Sequence, residues 1–268
     1  MKTIGVFDSG VGGLSVLRAL LAELPGSRFV YAADSAHAPY GERTAQDVSE
    51  RTHRITAHLR EQHGIDALVV ACNTATAHAI DDLRAQYPDL PIVGVEPALK
   101  PAAALSRSGR IGVLATRGTL GSMRFAQLRD RLVVTAARPL QFSCQPCDGL
   151  AGAIERHDTA SIKTLCQRYV GELLQETDPR QAIDTLVLGC THYPFATDVL
   201  SSLCGPGVSL VDTGVAVARR TREVLGLPAS GAAASYAPLL FTTGDPSALT
   251  QAAQRWLGLR NEAQALIA

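Results

Sequence analysis

Short apolar runs alternate along this chain with longer stretches whose apolar residues recur at helical spacing. The pattern predicts strands at Ile4–Asp8, Phe29–Ala32, Ala67–Ala71, Ile92–Val95, Arg110–Leu114, Thr185–Gly189, Val208–Val211 and Leu239–Thr242. Between them it predicts helices at Gly13–Leu24, Thr44–His63, Thr74–Tyr87, Pro97–Ser106, Thr119–Arg131, Phe195–Leu203, Gly214–Leu225 and Ser247–Leu257. Runs such as Ala67-Leu68-Val69-Val70-Ala71 do not alternate with polar residues, so both faces of the strand are expected to be covered. Strands that alternate with helices imply parallel sheets with helices on both sides. The segment Ala229–Ser235 reads as a flexible surface loop.

The second part of the chain echoes the first. Ile4-Gly5-Val6-Phe7-Asp8-Ser9-Gly10 is answered by Ile111-Gly112-Val113-Leu114-Ala115-Thr116-Arg117-Gly118. Ala67-Leu68-Val69-Val70-Ala71-Cys72-Asn73-Thr74 is answered by Thr185-Leu186-Val187-Leu188-Gly189-Cys190-Thr191-His192. The expected fold is α/β, with two similar doubly wound domains and the active site in a cleft between them. Residues 1–97 plus 209–268 would form the first domain and 98–208 the second.

Composition narrows the function classes. The 268 residues carry 25 Lys+Arg against 25 Asp+Glu, so no bulk charge points to nucleic acid or an anionic membrane. The N-terminus shows no signal-peptide layout and no apolar run is long enough to span a bilayer, so a cytoplasmic protein with reduced cysteines is expected. The only lysines are Lys2, Lys100 and Lys163. None has a phosphate-cradling glycine loop beside it, which argues against a pyridoxal-phosphate Schiff base.

The candidate chemistry lies at predicted strand ends. Cys72 and Cys190 each follow a buried run and precede small hydrogen-bonding residues, the usual place for ligand chemistry in open α/β sheets. A single cysteine is most often a small core residue. Two in matching contexts are better read as paired bases that take a proton from one face of a carbon and return one to the other. Asp8, at the end of the first strand, could orient an ammonium, assist a thiol or simply cap a helix. Asp34 and Tyr40-Gly41 lie in the polar loop Asp34–Gly41, which is either a binding loop or an ordinary surface turn. Thr116 and Thr119 offer hydroxyls to a carboxylate or to a helix end. His192 is placed for proton handling near Cys190. Glu155 ends the apolar stretch from Leu150, and its residue pattern alone reads as a helix-surface charge. Cys144-Gln145-Pro146-Cys147 has zinc or redox spacing but lacks a second ligand pair, so no metal is expected.

Together, Val6–Leu14, Pro39-Tyr40-Gly41, Ala71-Cys72-Asn73-Thr74-Ala75, Leu188-Gly189-Cys190-Thr191-His192-Tyr193-Pro194 and Val211-Asp212-Thr213-Gly214 resemble the glutamate racemases of bacterial cell-wall synthesis. The histidine after Cys190-Thr191 resembles these more than aspartate racemases, which usually carry an acidic residue there. The resemblance implies cofactor-independent interconversion of L- and D-glutamate. Cys72 would deprotonate the D-enantiomer with Asp8 assisting, and Cys190 the L-enantiomer with His192 assisting. Asp34 and Glu155 would support the site. Ser9, Pro39, Tyr40, Gly41, Asn73, Thr74, Thr116, Thr119 and Thr191 would hold the substrate. As partners it implies a homodimer and, for some members, a cell-wall-precursor activator and a DNA gyrase contact. The stretch Cys147–Glu155 departs from the pattern of many members, which carry Cys-Pro and bulkier apolar residues there. Rival readings are a racemase for another amino acid or a hydantoin, a single-thiol decarboxylase, a non-catalytic binding protein, and a zinc or redox protein using Cys144 and Cys147.

Overall fold

The structure is a computed structural model that describes residues 1–174, 182–228 and 236–267. The predicted loop at 229–235 lies outside the described residues. The chain divides into two compact units, one of Met1–Val95 with Gly214–Ala268, the other of Glu96–Thr213.

In the first unit the chain runs β1 (Thr3–Asp8), α1 (Leu14–Glu23), β2 (Arg28–Ala33), α2 (Ala45–His63), β3 (Ala67–Val70), α3 (Asn73–Gln86) and β4 (Ile92–Gly94). In the second it runs α4 (Leu99–Leu105), β5 (Arg110–Ala115), α5 (Arg117–Leu120), α6 (Met123–Thr135), β6 (Gln141–Pro146), α7 (Leu150–Glu155), α8 (Thr159–Leu173), β7 (Thr185–Gly189), α9 (Thr197–Cys204) and β8 (Ser209–Val211). It then returns to the first unit as α10 (Gly214–Val224), β9 (Leu239–Thr242), α11 (Pro246–Leu257) and β10 (Gln264–Ala265).

Both sheets are parallel. The first has the order β10-β9-β2-β1-β3-β4 and the second β6-β5-β7-β8. The four strands β2-β1-β3-β4 and β6-β5-β7-β8 therefore follow one plan: the first strand in sequence is inner, the second lies on one side and the third on the other. In such sheets the crossovers diverge at the carboxyl ends of the first and third strands, and ligands bind at that switch point. Cys72 follows β3 and Cys190 follows β7, so both thiols stand at that point in their own sheet.

Two further features belong to the repeat. Gly5 and Gly112 occupy the same register on β1 and β5. A Cβ on Gly5 would meet Ile65 Cδ1 at 2.9 Å, and one on Gly112 would meet Leu186 Cδ1 at 2.8 Å with Ile183 at 3.4 Å. Asp66 and Asp184 each stand six residues before the cysteine of their unit. Asp66 accepts the Thr3 N–H at 2.8 Å and the Lys2 ammonium at 2.8 Å. Asp184 accepts the N–H groups of Arg107 and Ser108 at 2.7 Å each and the Ser106 hydroxyl at 2.6 Å. Each carboxylate pins the entry of the neighbouring inner strand, and with it the register that carries its cysteine.

The structure departs from the sequence pattern in several places, adding α7, α8 and β10 to the predicted elements. The predicted helix Thr119–Arg131 is two helices. α5 ends at Gly121, and Ser122 caps α6 by accepting the Phe125 N–H at 3.2 Å. Between residues 132 and 184 the pattern predicted no strand, yet β6 lies there. Among the described residues it pairs with β5 alone, as an edge strand, and only Leu140, Phe142 and Cys144 alternate against the core, a short pattern between polar residues.

Candidate active site

In the first unit the site is built on the loop after β1. The Asp8 carboxylate is buried and accepts the N–H of Gly13 at 2.7 Å and of Gly10 at 3.4 Å, so the loop wraps around it. The Tyr31 hydroxyl donates to the Gly10 carbonyl at 2.5 Å. Position 13 has no room for a side chain: a Cβ there would stand 2.5 Å from Asp8 Cβ and 2.9 Å from the Tyr31 oxygen. This loop brings Ser9 to the thiol, with Cys72 Sγ 3.7 Å from Ser9 Oγ.

Cys72 is the N-cap of α3. Its sulfur accepts the Ala75 N–H at 3.4 Å. An N–H and the N-terminal end of a 14-residue helix favour the thiolate over the thiol. Beside it, Asn73 is buried and its Nδ2 donates to the Val95 carbonyl at 3.4 Å. Its Oδ1 has no hydrogen-bond partner among the described residues, an acceptor of the kind an ammonium would satisfy. Thr74 is buried on the first turn of the same helix. Thr76, not singled out in the sequence, fastens this corner: its hydroxyl donates to the Val70 carbonyl at 3.2 Å and accepts the Val95 N–H at 3.0 Å.

Asp34, after β2, is fully buried and saturated. It accepts Arg51 Nε at 2.9 Å, Arg51 Nη2 at 2.8 Å, the Tyr40 hydroxyl at 2.7 Å and the Thr243 hydroxyl at 2.8 Å. His37 Nδ1 lies 3.1 Å away. Burial alone would raise its pKa, but these hydrogen bonds and the Arg51 charge outweigh burial and hold it below the usual carboxylate value. Tyr40 is buried against Phe7 at a ring separation of 6.1 Å. Burial, and then the Asp34 charge, push its hydroxyl far above the usual phenol value, so it is a permanent donor. Pro39, joined to Ala38 by a cis peptide, and Gly41 flank it.

In the second unit Cys190 is buried after β7 and a histidine replaces the helix. Cys190 Sγ lies 3.6 Å from His192 Nδ1, and His192 Nε2 lies 2.7 Å from Glu155 Oε2. Burial would drive the imidazole neutral, but the hydrogen bonds and charges of Cys190 and Glu155 overcome it and raise its pKa well above the usual value. Glu155, which the pattern read as a surface charge, ends the short helix α7 and points at His192. Thr191, next to Cys190 in the chain, is also buried. Thr116 caps α5: its hydroxyl accepts the Thr119 N–H at 3.2 Å and donates to the Thr119 hydroxyl at 2.9 Å.

The Cys144/Cys147 spacing does not gather the two thiols. Cys144, partly buried, packs against the core formed by Val113, Phe125 and Val187, whereas Cys147 donates to the Gln145 carbonyl at 3.4 Å and lies by Tyr193. Among the described residues no group of His, Cys, Asp and Glu could hold a metal ion, and no helix is long and apolar enough to cross a membrane.

A parallel α/β unit with a thiol at its switch point is thus repeated within one chain. Residues 4–221 match the Asp/Glu/Hydantoin racemase family, and the chain belongs to that family. Its relatives narrow the kind. Glutamate racemase of Pseudomonas paraeruginosa is 50% identical over 248 residues, 91% of this chain and 89% of the relative. That of Ectopseudomonas mendocina is 53% identical over 225 residues, 83% and 82% of the two chains. Among solved structures, Escherichia coli glutamate racemase in complex with L-glutamate and the activator UDP-MurNAc-Ala superposes with a TM-score of 0.85 at 34% identity, covering 99% of this chain and 98% of that one. The chain is an amino-acid racemase.

Proposed function

We propose that this enzyme interconverts L- and D-glutamate without a cofactor, through Cys72 and Cys190, and supplies D-glutamate for peptidoglycan in the cytoplasm. The observation that carries the reading is the equivalence of the two thiols: each is buried, directly after the third strand of the same four-strand plan. The glutamate racemases it resembles, at about half identity over most of their length, support the substrate.

From D-glutamate, the Cys72 thiolate takes the α-proton and becomes a thiol. The carbanion then takes a proton from the Cys190 thiol on its opposite face, leaving a Cys190 thiolate. The reverse sequence starts from L-glutamate. The balance is one proton in and one out, so the product's α-hydrogen comes from a thiol that exchanges with solvent. The α-proton is weakly acidic, and its removal places charge beside a carboxylate. Preorganised donors must therefore meet that charge away from water. The Asn73 amide oxygen would accept the ammonium, and Ser9, Thr74, Thr116, Thr119, Thr191 and the backbone of Tyr40-Gly41 would hold the carboxylates. His192, kept cationic by Glu155, stabilises the Cys190 thiolate and reloads its proton. By analogy with the E. coli enzyme, a uridine-linked cell-wall precursor is proposed as an effector.

The test is incubation with D-glutamate in D₂O without added cofactor, following optical rotation and α-deuterium together. Racemisation with solvent deuterium in the product, lost in Cys72→Ala and in Cys190→Ala, is the expected result. A folded protein that leaves glutamate unchanged but turns over aspartate or a hydantoin would overturn the substrate assignment.

A further inference from the structure

The network around Asp34 contains two residues that no substrate argument needs, Arg51 and Thr243. Arg51 comes from α2, 17 positions after Asp34, and gives it a two-pronged ion pair, with the guanidinium itself largely buried. Thr243 comes from the far end of the chain, 209 positions on, at the carboxyl end of β9. Its hydroxyl donates to Asp34 and accepts the Ala36 N–H at 3.2 Å. Its own N–H donates to the Ala33 carbonyl at 3.0 Å. The neighbouring Gly244 lies so close to Ser35 that an added Cβ would stand 2.9 Å from the serine Cβ. The segment 243–244 therefore lies flat on the loop that begins at Asp34.

What these groups hold in common is the carboxylate that fixes Tyr40. An isolated carboxylate at zero exposure would not stay charged. Arg51 keeps it charged, and a charged acceptor gives the Tyr40 hydroxyl a short, directional bond. Tyr40 anchors the 3₁₀ turn Tyr40–Glu42, whose backbone the functional reading assigns to a substrate carboxylate. The Tyr40 side chain cannot swing away without breaking the bond to Asp34 and leaving its place against Phe7.

We infer that Arg51 and Thr243 are positioning residues for glutamate binding, acting through Asp34 and Tyr40 to hold the Pro39–Gly41 turn in its binding conformation. Neither touches substrate. The inference rests on the functional reading above, and explains why the chain returns to the first unit: β9 carries the latch for that turn.

Arg51→Met, Arg51→Lys and Thr243→Val are compared with the wild type in both directions of racemisation, with unfolding midpoints recorded. Removing a charged hydrogen-bond partner from a binding turn is expected to raise KM for glutamate about tenfold in Arg51→Met, with kcat changed less than about threefold. Arg51→Lys, which restores the charge but not the fork, is expected to recover part of the loss. Thr243→Val keeps shape and volume and is expected to raise KM about threefold, so it carries the test if Arg51→Met does not fold. Folded variants with wild-type KM, or a loss confined to kcat, would overturn the inference. A wild type inactive on glutamate would instead overturn the functional reading; the two failures are distinct.

Discussion

The two thiols occupy one position in a repeated fold but have different surroundings. After β3 the chain enters a long helix at once, so Cys72 caps α3 and takes the Ala75 N–H. After β7 it passes through Thr191 and His192 into a 3₁₀ turn, and α9 begins only at Thr197. Cys190 has an imidazole where Cys72 has a helix end, and against burial the imidazole's pKa is raised by Cys190 and then by Glu155. Backbone dipoles do not titrate, whereas His192 does. The repeat keeps where the sulfur sits, while local chain geometry decides which groups lie beside it.

The harshest test treats the thiols as equals. Cys72→Ala and Cys190→Ala are each expected to lower racemisation by at least about a thousandfold, since each removes one of two obligatory proton carriers. Polarimetry checks this. If one variant kept near-wild-type racemisation, the chemistry would rest on a single thiol and the comparison would fail.

The next test separates them. His192→Asn is expected to cost about a hundredfold in kcat, in the usual range for loss of a proton-transfer group. Ser9→Ala, which removes the hydroxyl beside Cys72, leaves the Ala75 N–H in place and is expected to cost less than about tenfold. Equal losses would mean the two half-sites are activated alike.

Glu155→Gln gives a subtler reading. Glu155 favours the imidazolium, so its loss lowers the His192 pKa. Activity that needs His192 protonated should then fall away at lower pH than in the wild type, with about a tenfold loss of kcat on the alkaline side. The pH profile of kcat measures it. An alkaline limb that stayed in place would show that Glu155 does not control His192.

Much of this was legible in the sequence, and the limit falls where the physics places it. The apolar runs and the residues directly after them gave the parallel sheets and the matching places of Cys72 and Cys190, because strand burial and strand-end position are local properties of the chain. The residue pattern alone read Glu155 as a surface charge, because its partner lies 37 positions away and no spacing rule connects them, and only the family resemblance put it among the site residues. Arg51 and Thr243 were invisible for the same reason. β6 was missed because its alternation, Leu140, Phe142 and Cys144, is short and interrupted by polar residues. Asp66 and Asp184 are a different case. Ile65-Asp66 and Ile183-Asp184 precede the two cysteine runs identically, so extending the comparison by two residues would have found them.

That last pair yields the smallest expected effect and completes the comparison. Each aspartate pins an inner strand, but with different partners. Asp66 relies first on the half-exposed Lys2 ammonium and then on one N–H. Asp184 relies on neutral donors packed around it. Burial opposes its ionisation, yet the Ser106 hydroxyl, the Ser108 N–H, the Thr185 hydroxyl and the Arg107 N–H together bring its pKa down to about 2. A folded pKa below the unfolded value stabilises the protein above the unfolded pKa, and that stability is lost as pH falls through the folded one. The full linkage of such a shift would be about 2.5 kcal/mol. Because Asp184 is only half-buried, solvent screening reduces the expected share to about 1 kcal/mol. Asp184→Asn should therefore lower the unfolding free energy near neutral pH and converge with the wild type as pH drops from about 4 towards 2. Asp66→Asn should show a smaller loss that shrinks with added salt, because a partly exposed ion pair is screened. Denaturant unfolding at several pH and salt values reads both. An equal salt dependence for the two variants would mean that the repeated aspartates, unlike the repeated cysteines, are stabilised in the same way.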